Sequence, residues 1–322
     1  MPKKKTATKK VTTAKKAVTK KTPKQKKPKY KPRQFSSEVV DGDDRAPSRS
    51  MLYAASIANF GTEQLNGLLG INNSETNFYY QKSLEASREI IRSGIFSLYR
   101  KDSDPVKNFG DLFIDESNNP EVIFAEKYDY DEGKSHQWDA LAQPSGFGFN
   151  WSSNYTVYLE TLEQFDFTDG TSGMLDRSIY DDATEIDPNW FFEMRDPRMK
   201  ASIFYPGSSF KGGTVHFHRS MSGSLSGWPR TGPSKHIGSM ATGLLIRKRT
   251  NPETPDATRS STDYIIFRLG EIILNYVEAA FYLNDPNGDM LANLNNLRDS
   301  HIPFEPFITI EGLEKNKKLG DT

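Results

Sequence analysis

The sequence contains no cysteine among its 322 residues. Disulfide bonds, thiolate catalysis, cysteine-ligated zinc and lipid attachment through cysteine are therefore excluded for this sequence. It also lacks an apolar run of roughly eighteen residues, so no transmembrane helix is predicted. The first residues have no apolar core of the kind that marks a secretory signal.

Common catalytic and metal-binding motifs are missing as well. The sequence has no nucleophile elbow, Walker-A loop or His-Glu-x-x-His motif, which argues against an enzyme. His216 and His218 could share one face of a strand, but no third ligand is identifiable, so neither a metal nor a cofactor is predicted. Residues 285–289 imitate a calcium loop, yet Met290 stands where glycine is required and Asn296 where glutamate is required. This stretch is predicted to be a turn.

Acidic residues are absent from the first 34 positions, which carry 14 Lys and Arg33. The formal net charge of zero therefore hides a basic tail and an acidic remainder. Residues 1–46 are predicted to be a disordered tail and linker, and residues 47–322 to form the folded domain. Such a tail is suited to non-specific contact with polyanions, so a nucleic-acid-binding protein is one alternative function. A glycoside hydrolase is another, because 42 acidic residues make carboxylate pairs plentiful.

The strongest periodic signal lies at residues 261–283, where apolar residues recur at helical spacing. We predict one helix over this stretch, with an N-cap among residues 261–263 and a stop at residues 284–288. Glu271, Asn275 and Glu278 form a polar row that is predicted to be its solvated face. Met290, Leu291, Leu294 and Leu297 predict a second helix, which completes a hairpin.

A second helical hairpin is predicted near the start of the domain. Leu52, Ala55, Ser56 and Ala58 give a helix from residue 49 with a small-residue face that permits close helix approach. Residues 76–94 give the next helix, ended by Gly94. Two such pairs favour tetratricopeptide-like packing, although no fixed repeat joins them.

The intervening residues are predicted to be irregular, with short elements. Residues 121–126 read as a buried strand, residues 158–167 as a helix and residues 242–248 as a strand. Arg195 or Arg198, on either side of an Asp-Pro pair, is predicted to bond backbone carbonyls in a structural role.

Large aromatic residues are concentrated in loops rich in glycine, serine and asparagine. Rings on loops beside amides suit sugar recognition, because a ring face stacks on the C–H face of a pyranose while amides bond its hydroxyls. The alternative is that these rings fill the core beneath a long loop, and both roles stay open. The candidate ligand-binding residues are Trp138, Phe147, Phe149, Asn150, Trp151, Asn154, Tyr155, Trp228 and Arg230.

Four segments, in consistent order, make the sequence resemble the SusD/RagB family of outer-membrane glycan- and nutrient-binding lipoproteins. They are NFYYQKSLEASREIIRSGIFSLY at 77–99, NNPEVIFAEKY at 118–128, FFEMRDPRMKASIFYPG at 191–207 and STDYIIFRLGEIILNYVEAAFYL at 261–283. The resemblance spans roughly residues 49–310.

The resemblance implies a mostly α-helical fold, in which a tetratricopeptide-like scaffold carries a long, loop-rich and partly β insertion. It implies non-catalytic binding of oligosaccharides or similar nutrients at the outer membrane. The implied partner is a SusC-like TonB-dependent transporter, to which the ligand is delivered. Family members begin with a lipoprotein signal and an anchoring cysteine, which this sequence lacks, and it stops soon after the last helix pair. We therefore expect an incomplete SusD-like body behind an unrelated Lys-rich start.

Overall fold

Helices make up most of the regular structure in the part of the chain that the computed structural model describes. These residues are 45–62, 70–147, 154–179, 189–215, 242–285 and 288–300. The α-helices are α1 (Arg45–Phe60), α2 (Thr76–Ser93), α3 (Pro105–Asp111), α4 (Trp138–Ala142), α5 (Leu159–Glu163), α6 (Pro197–Ser202), α7 (Leu269–Tyr282) and α8 (Gly288–Asp299). The strands are β1 (Val122–Glu126), β2 (Ile203–Phe204), β3 (Ser209–Phe210), β4 (Gly213–Thr214), β5 (Leu245–Ile246) and β6 (Tyr264–Arg268).

The two predicted hairpins, α1–α2 and α7–α8, pack together into one scaffold in which α2 contacts both α1 and α7. Gly94 ends α2 with a φ of 65°, a left-handed conformation that suits glycine. The two hairpins share a core to which α2, α7 and α8 contribute most of the large side chains. Its most buried members include Tyr80, Leu84, Ile90, Ile272, Ile273, Tyr276, Met290, Leu294 and Leu297. The predicted mostly α-helical, tetratricopeptide-like fold is confirmed.

Polar side chains join α1 to α7 on the row that was predicted to be a solvated helix face. That prediction is wrong for Asn275, which is buried and donates a hydrogen bond of 3.0 Å to the Ser48 hydroxyl. Both carboxylate oxygens of Glu271 accept hydrogen bonds from the Arg49 guanidinium. Glu278 is exposed, as expected.

The predicted helix over residues 261–283 is wrong in its first part. Residues Tyr264–Arg268 form β6, which pairs antiparallel with β1, and the helix begins only at Leu269. Branched and aromatic side chains at Ile265, Ile266 and Phe267 favour a strand once a partner is present. The proposed N-cap residues therefore serve other roles, and Asp263 instead accepts from Lys127 and the Tyr128 backbone N–H.

Between the hairpins the chain forms short elements, as predicted, and several are shorter than expected. The predicted helix at 158–167 is α5, which ends at Glu163, and the predicted strand at 242–248 is the two-residue β5. β5 pairs with β2, and β3 pairs with β4 in a tight hairpin. The predicted strand at 121–126 is β1, but the expected burial is wrong, because no residue of β1 is fully buried and Phe124 is 38% exposed.

Arg195 organises the interior of the region between the hairpins. Its guanidinium is fully buried and donates to the carbonyls of Phe191 at 2.8 Å, Phe165 at 2.8 Å and Gly173 at 3.1 Å. The predicted role of an arginine that bonds backbone carbonyls is confirmed for Arg195. Arg198 instead pairs with Asp196, the N-cap of α6.

None of the helices in the described ranges is both long and apolar enough to cross a membrane. The described ranges also hold no group of three or more His, Asp or Glu residues that could bind a metal ion.

Candidate functional site

The structure divides the predicted ligand-binding residues into two groups. Phe149, Asn150, Trp151, Trp228 and Arg230 lie outside the described residues, as do His216 and His218. Trp138, Phe147, Asn154 and Tyr155 are described.

Trp138 and Tyr155 form a stacked pair of rings with centroids 5.1 Å apart and planes inclined by 28°. Trp138 is the first residue of α4. The backbone carbonyl of Tyr155 accepts a hydrogen bond of 3.0 Å from the backbone N–H of Ile246 in β5. Tyr155 is 38% exposed and Trp138 is partly buried. The indole N–H of Trp138 is buried without an acceptor in the described protein. The pair therefore offers an accessible phenol ring on a rigid indole support.

Asn154 stands beside the ring pair. It is exposed, and its backbone N–H donates to the Leu141 carbonyl at the end of α4 with a distance of 2.9 Å. α4 thereby fixes the start of the segment that carries Tyr155. An exposed asparagine thus directly precedes an exposed tyrosine ring in the chain.

Phe147 has a packing role. Its ring meets that of Phe210 edge to face at 5.3 Å and packs against a small core with Phe204, Val215 and Leu245. A side chain added at Gly213 would collide with it at 2.9 Å. Of the two roles left open for the loop aromatics, Phe147 fills the core.

Arg249 borders the ring pair and was not predicted. Its guanidinium carbon lies 5.5 Å from the centroid of the Trp138 ring and 4.9 Å from that of Tyr264, which is 50% exposed. Its N–H groups donate to the carbonyls of Thr262 at 3.0 Å and Asp263 at 3.2 Å. Burial lowers the pKa of Arg249. The only signal in the sequence was the basic run at 247–249 that follows β5.

Two cavities flank the loop that follows Arg249. The first, of about 440 Å³, is lined by Arg249, Thr250 and Pro252 together with residues of α3 and α6. The second, of about 590 Å³, is lined by Asn251 and residues 253–256. Both volumes lie within the roughly 300–1,000 Å³ that is typical of small-ligand sites.

The second cavity combines one exposed ring with carboxylates. Tyr130 is 39% exposed and carries the Arg259 guanidinium 4.0 Å above its ring. Glu116 accepts the Asp263 backbone N–H at 2.9 Å, and burial raises the pKa of this carboxyl group. These groups can accept hydrogen bonds from hydroxyls and stack one sugar face.

This architecture is similar to that of known proteins. The SusD family model matches residues 120–299, which is more than half of the chain. A SusD-like protein from Bacteroides fragilis superposes with a TM-score of 0.57 at 20% identity, covering 84% of this chain and 54% of that one. A SusD-like carbohydrate-binding protein from the same organism gives 0.55 at 17% identity, covering 85% and 53%.

A third solved structure, described as a complex with a xylogluco-oligosaccharide, gives a TM-score of 0.51 at 16% identity and covers 86% of this chain and 47% of that one. The chain thus spans about half the length of these relatives. No functionally curated protein matches it by sequence. The family model covers the α7–α8 hairpin and most of the region before it, the solved structures share the fold, and the chain belongs to the SusD family.

Proposed function

We propose that this protein binds oligosaccharides without cleaving them, at the surface formed by Trp138, Asn154 and Tyr155, here called the ring platform. The observation that carries the proposal is the stack of Trp138 and the exposed Tyr155, supported by an exposed amide. A ring face contacts the apolar C–H face of a sugar, and the amide and nearby backbone groups bond its hydroxyls. Two relatives of this fold are described as carbohydrate binding or as bound to an oligosaccharide, which supports the same ligand class.

The stack gives the platform its rigidity. Because Trp138 is anchored at the first position of α4 and Tyr155 is held to β5, the Tyr155 ring loses little freedom when a ligand binds. Aromatic surface of this kind gives binding energy without a reactive group. The platform rings are therefore suited to capture and not to hydrolysis.

Binding of the full chain to a panel of neutral and acidic polysaccharides, measured by affinity electrophoresis and isothermal titration calorimetry, tests the proposal. We expect Tyr155→Ala to weaken binding about tenfold, since losing one ring contact costs about 1–1.5 kcal/mol. Tyr158→Ala is the matched control, because Tyr158 is 72% exposed and outside the stack. Equal affinity of Tyr155→Ala and the unaltered protein would refute the ring platform.

Tyr130→Ala separates the ring platform from the second cavity. If Tyr130→Ala weakens binding and Tyr155→Ala does not, the ligand occupies the second cavity and the assignment to Tyr155 is wrong. Recovery of bound glycan at its original length is expected, while release of shorter products would favour the glycoside hydrolase alternative.

We further propose that the protein works at the cell outer membrane and passes its ligand to a SusC-like TonB-dependent transporter. Family membership supports this partner. Co-expression of the chain with SusC-like TonB-dependent transporters from the same genome, followed by affinity purification from detergent-solubilised membranes, should recover the chain together with one of them. Failure to co-purify, where a full-length SusD-like relative and its own transporter succeed, would refute delivery and leave glycan binding intact.

A further inference from the structure

Three consecutive basic residues follow β5, and none of them has a carboxylate partner among the described residues. Arg247 donates to the Lys200 carbonyl at 3.3 Å and packs over the Phe204 ring at 5.3 Å. Lys248 lies over Phe113, and Arg249 donates to backbone carbonyls and lies beside the His136 ring. Burial lowers the pKa of each of the three. Partly buried cations are usually paired, so an unpaired run requires an explanation.

Arg247 and Arg249 both line the 440 Å³ cavity. The other charged groups of that cavity are already satisfied. Lys107 pairs with Asp111 at 2.6 Å, Lys200 lies 3.4 Å from Glu193, and Asp104 caps α3. With four cations and three carboxylates in its lining, the cavity keeps one net positive charge. Asp139 and Asp263, which do not line the cavity, offset part of the charge of Arg249.

Both arginines keep N–H groups without an acceptor in the described part of the chain. Arg247 uses Nη1, and Arg249 uses Nε and Nη2. Some side-chain nitrogens in the described residues are buried without a hydrogen-bond partner, but none of these belongs to Arg247 or Arg249. The unused N–H groups of the two arginines therefore face accessible space. The planar guanidinium presents paired donors that match a carboxylate or a sulfate.

We propose that this cavity binds the acidic group of a negatively charged sugar, with Arg247 and Arg249 as the recognising side chains. The proposal rests on the proposed function, since it makes the cavity an extension of the ring platform. Arg249 connects the cavity with the ring platform. Its guanidinium carbon lies 5.5 Å from the Trp138 ring centroid, and the residue also lines the cavity. One oligosaccharide can thus place an acidic residue in the cavity and a neighbouring residue on the rings.

A small acidic sugar fits the charge pattern better than a large polyanion. Residues after position 34 contain all 42 acidic groups of the chain but only 27 of its 42 basic ones, so the body repels extended polyanions. Two neighbouring arginines in a cavity, without carboxylate partners, instead attract a single acidic group. The shared chemistry is a carboxylate or a sulfate ester on a sugar.

The test compares matched acidic and neutral glycans on the full chain by isothermal titration. Oligogalacturonate is compared with its methyl ester, and a sulfated oligosaccharide with its desulfated form, so that the two pairs distinguish carboxylate from sulfate. We expect at least one acidic member to bind about tenfold tighter than its neutral partner. Arg247→Gln and Arg249→Gln should abolish that difference. Arg92→Gln is the control, because Arg92 is exposed on α2.

The possible outcomes separate this inference from the proposed function. Neutral and acidic partners that bind equally, with dependence on Tyr155, would overturn the acidic subsite and leave glycan binding standing. Thermal unfolding with glucuronate, glucose 6-sulfate or glucose tests the subsite even if no oligosaccharide binds. Stabilisation by either acidic sugar and not by glucose, lost in Arg247→Gln, supports the subsite, and no stabilisation by either acidic sugar overturns it. Arg247→Lys, which keeps the charge, should retain part of the effect and so distinguishes lost recognition from lost folding.

Discussion

Lys248 is predicted to reduce the stability of the folded protein at neutral pH. Its ammonium nitrogen lies 4.2 Å from the centroid of the Phe113 ring and 5.7 Å from that of Phe109, with no described carboxylate partner. Burial, together with the charges of Arg268 and Arg198, lowers the pKa of Lys248 from 10.5 to about 8. Because a tenfold change in proton affinity equals about 1.4 kcal/mol, the buried charge costs at most about 3 kcal/mol.

The sign of the pH dependence follows from the two protonation steps. Folded Lys248 releases its proton near pH 8, whereas the same side chain in the unfolded chain releases it near pH 10.5. Between these values the unfolded state binds more protons, so the free energy of unfolding rises with pH. The penalty is complete below pH 8 and absent above about pH 10.5.

Lys248→Met should therefore stabilise the protein by about 1–3 kcal/mol at pH 7, since attraction to the Phe113 ring offsets part of the burial cost. The gain should vanish at pH 10.5. Urea unfolding followed by far-UV circular dichroism at pH 7, 9 and 10.5 measures both effects. Lys82→Met is the control, because Lys82 is exposed and paired with Glu85 at 2.9 Å. A gain of the same size at every pH, or no gain at pH 7, would refute the reasoning.

Asn275→Ala removes a buried hydrogen bond between α1 and α7 and should cost about 1–2 kcal/mol in urea unfolding, whereas a cost near zero would show that the bond adds nothing. Gly173→Ala would place a Cβ 2.3 Å from one carbonyl oxygen and 2.7 Å from the Arg195 guanidinium, so we expect it to destabilise the fold by more than about 3 kcal/mol. Gly110→Ala in α3 is its control, because the nearest atom would lie 3.9 Å away, and similar unfolding curves for the two variants would contradict the packing described around Arg195. Deletion of residues 1–34 should abolish any salt-sensitive binding of double-stranded DNA in a salt series, and equal binding with and without them would remove the nucleic-acid alternative.

Local periodicity was sufficient to predict the scaffold helices but not where α7 begins. Met290, Leu294 and Leu297 recur at helical spacing and are buried as expected in α8. Ile265 and Ile266 continue the helical spacing of α7 backward, yet they lie in β6. Their strand partner, β1, is far away in the sequence, and β6 passes into α7 without a turn signal. Only the fold reveals that pairing.

The ring platform was predictable in part. Composition singled out Trp138 and Tyr155, because large rings in polar loops are conspicuous, but it could not separate them from Phe147, which packs in the core. Arg249 was missed because its role depends on three segments meeting: its own, the segment with His136 and Trp138, and the one with Tyr264. The roles of Trp151 and Trp228 stay predictions.

The contact between Arg49 and Glu271 joins residues 222 positions apart, which has a consequence for biosynthesis. At about 5–20 residues per second, a ribosome needs more than ten seconds to make the chain between them. During that time the α1–α2 hairpin lacks α7, the helix against which Tyr80 and Leu84 are buried. The first hairpin must therefore stay shielded from aggregation on the nascent chain until the last helices emerge.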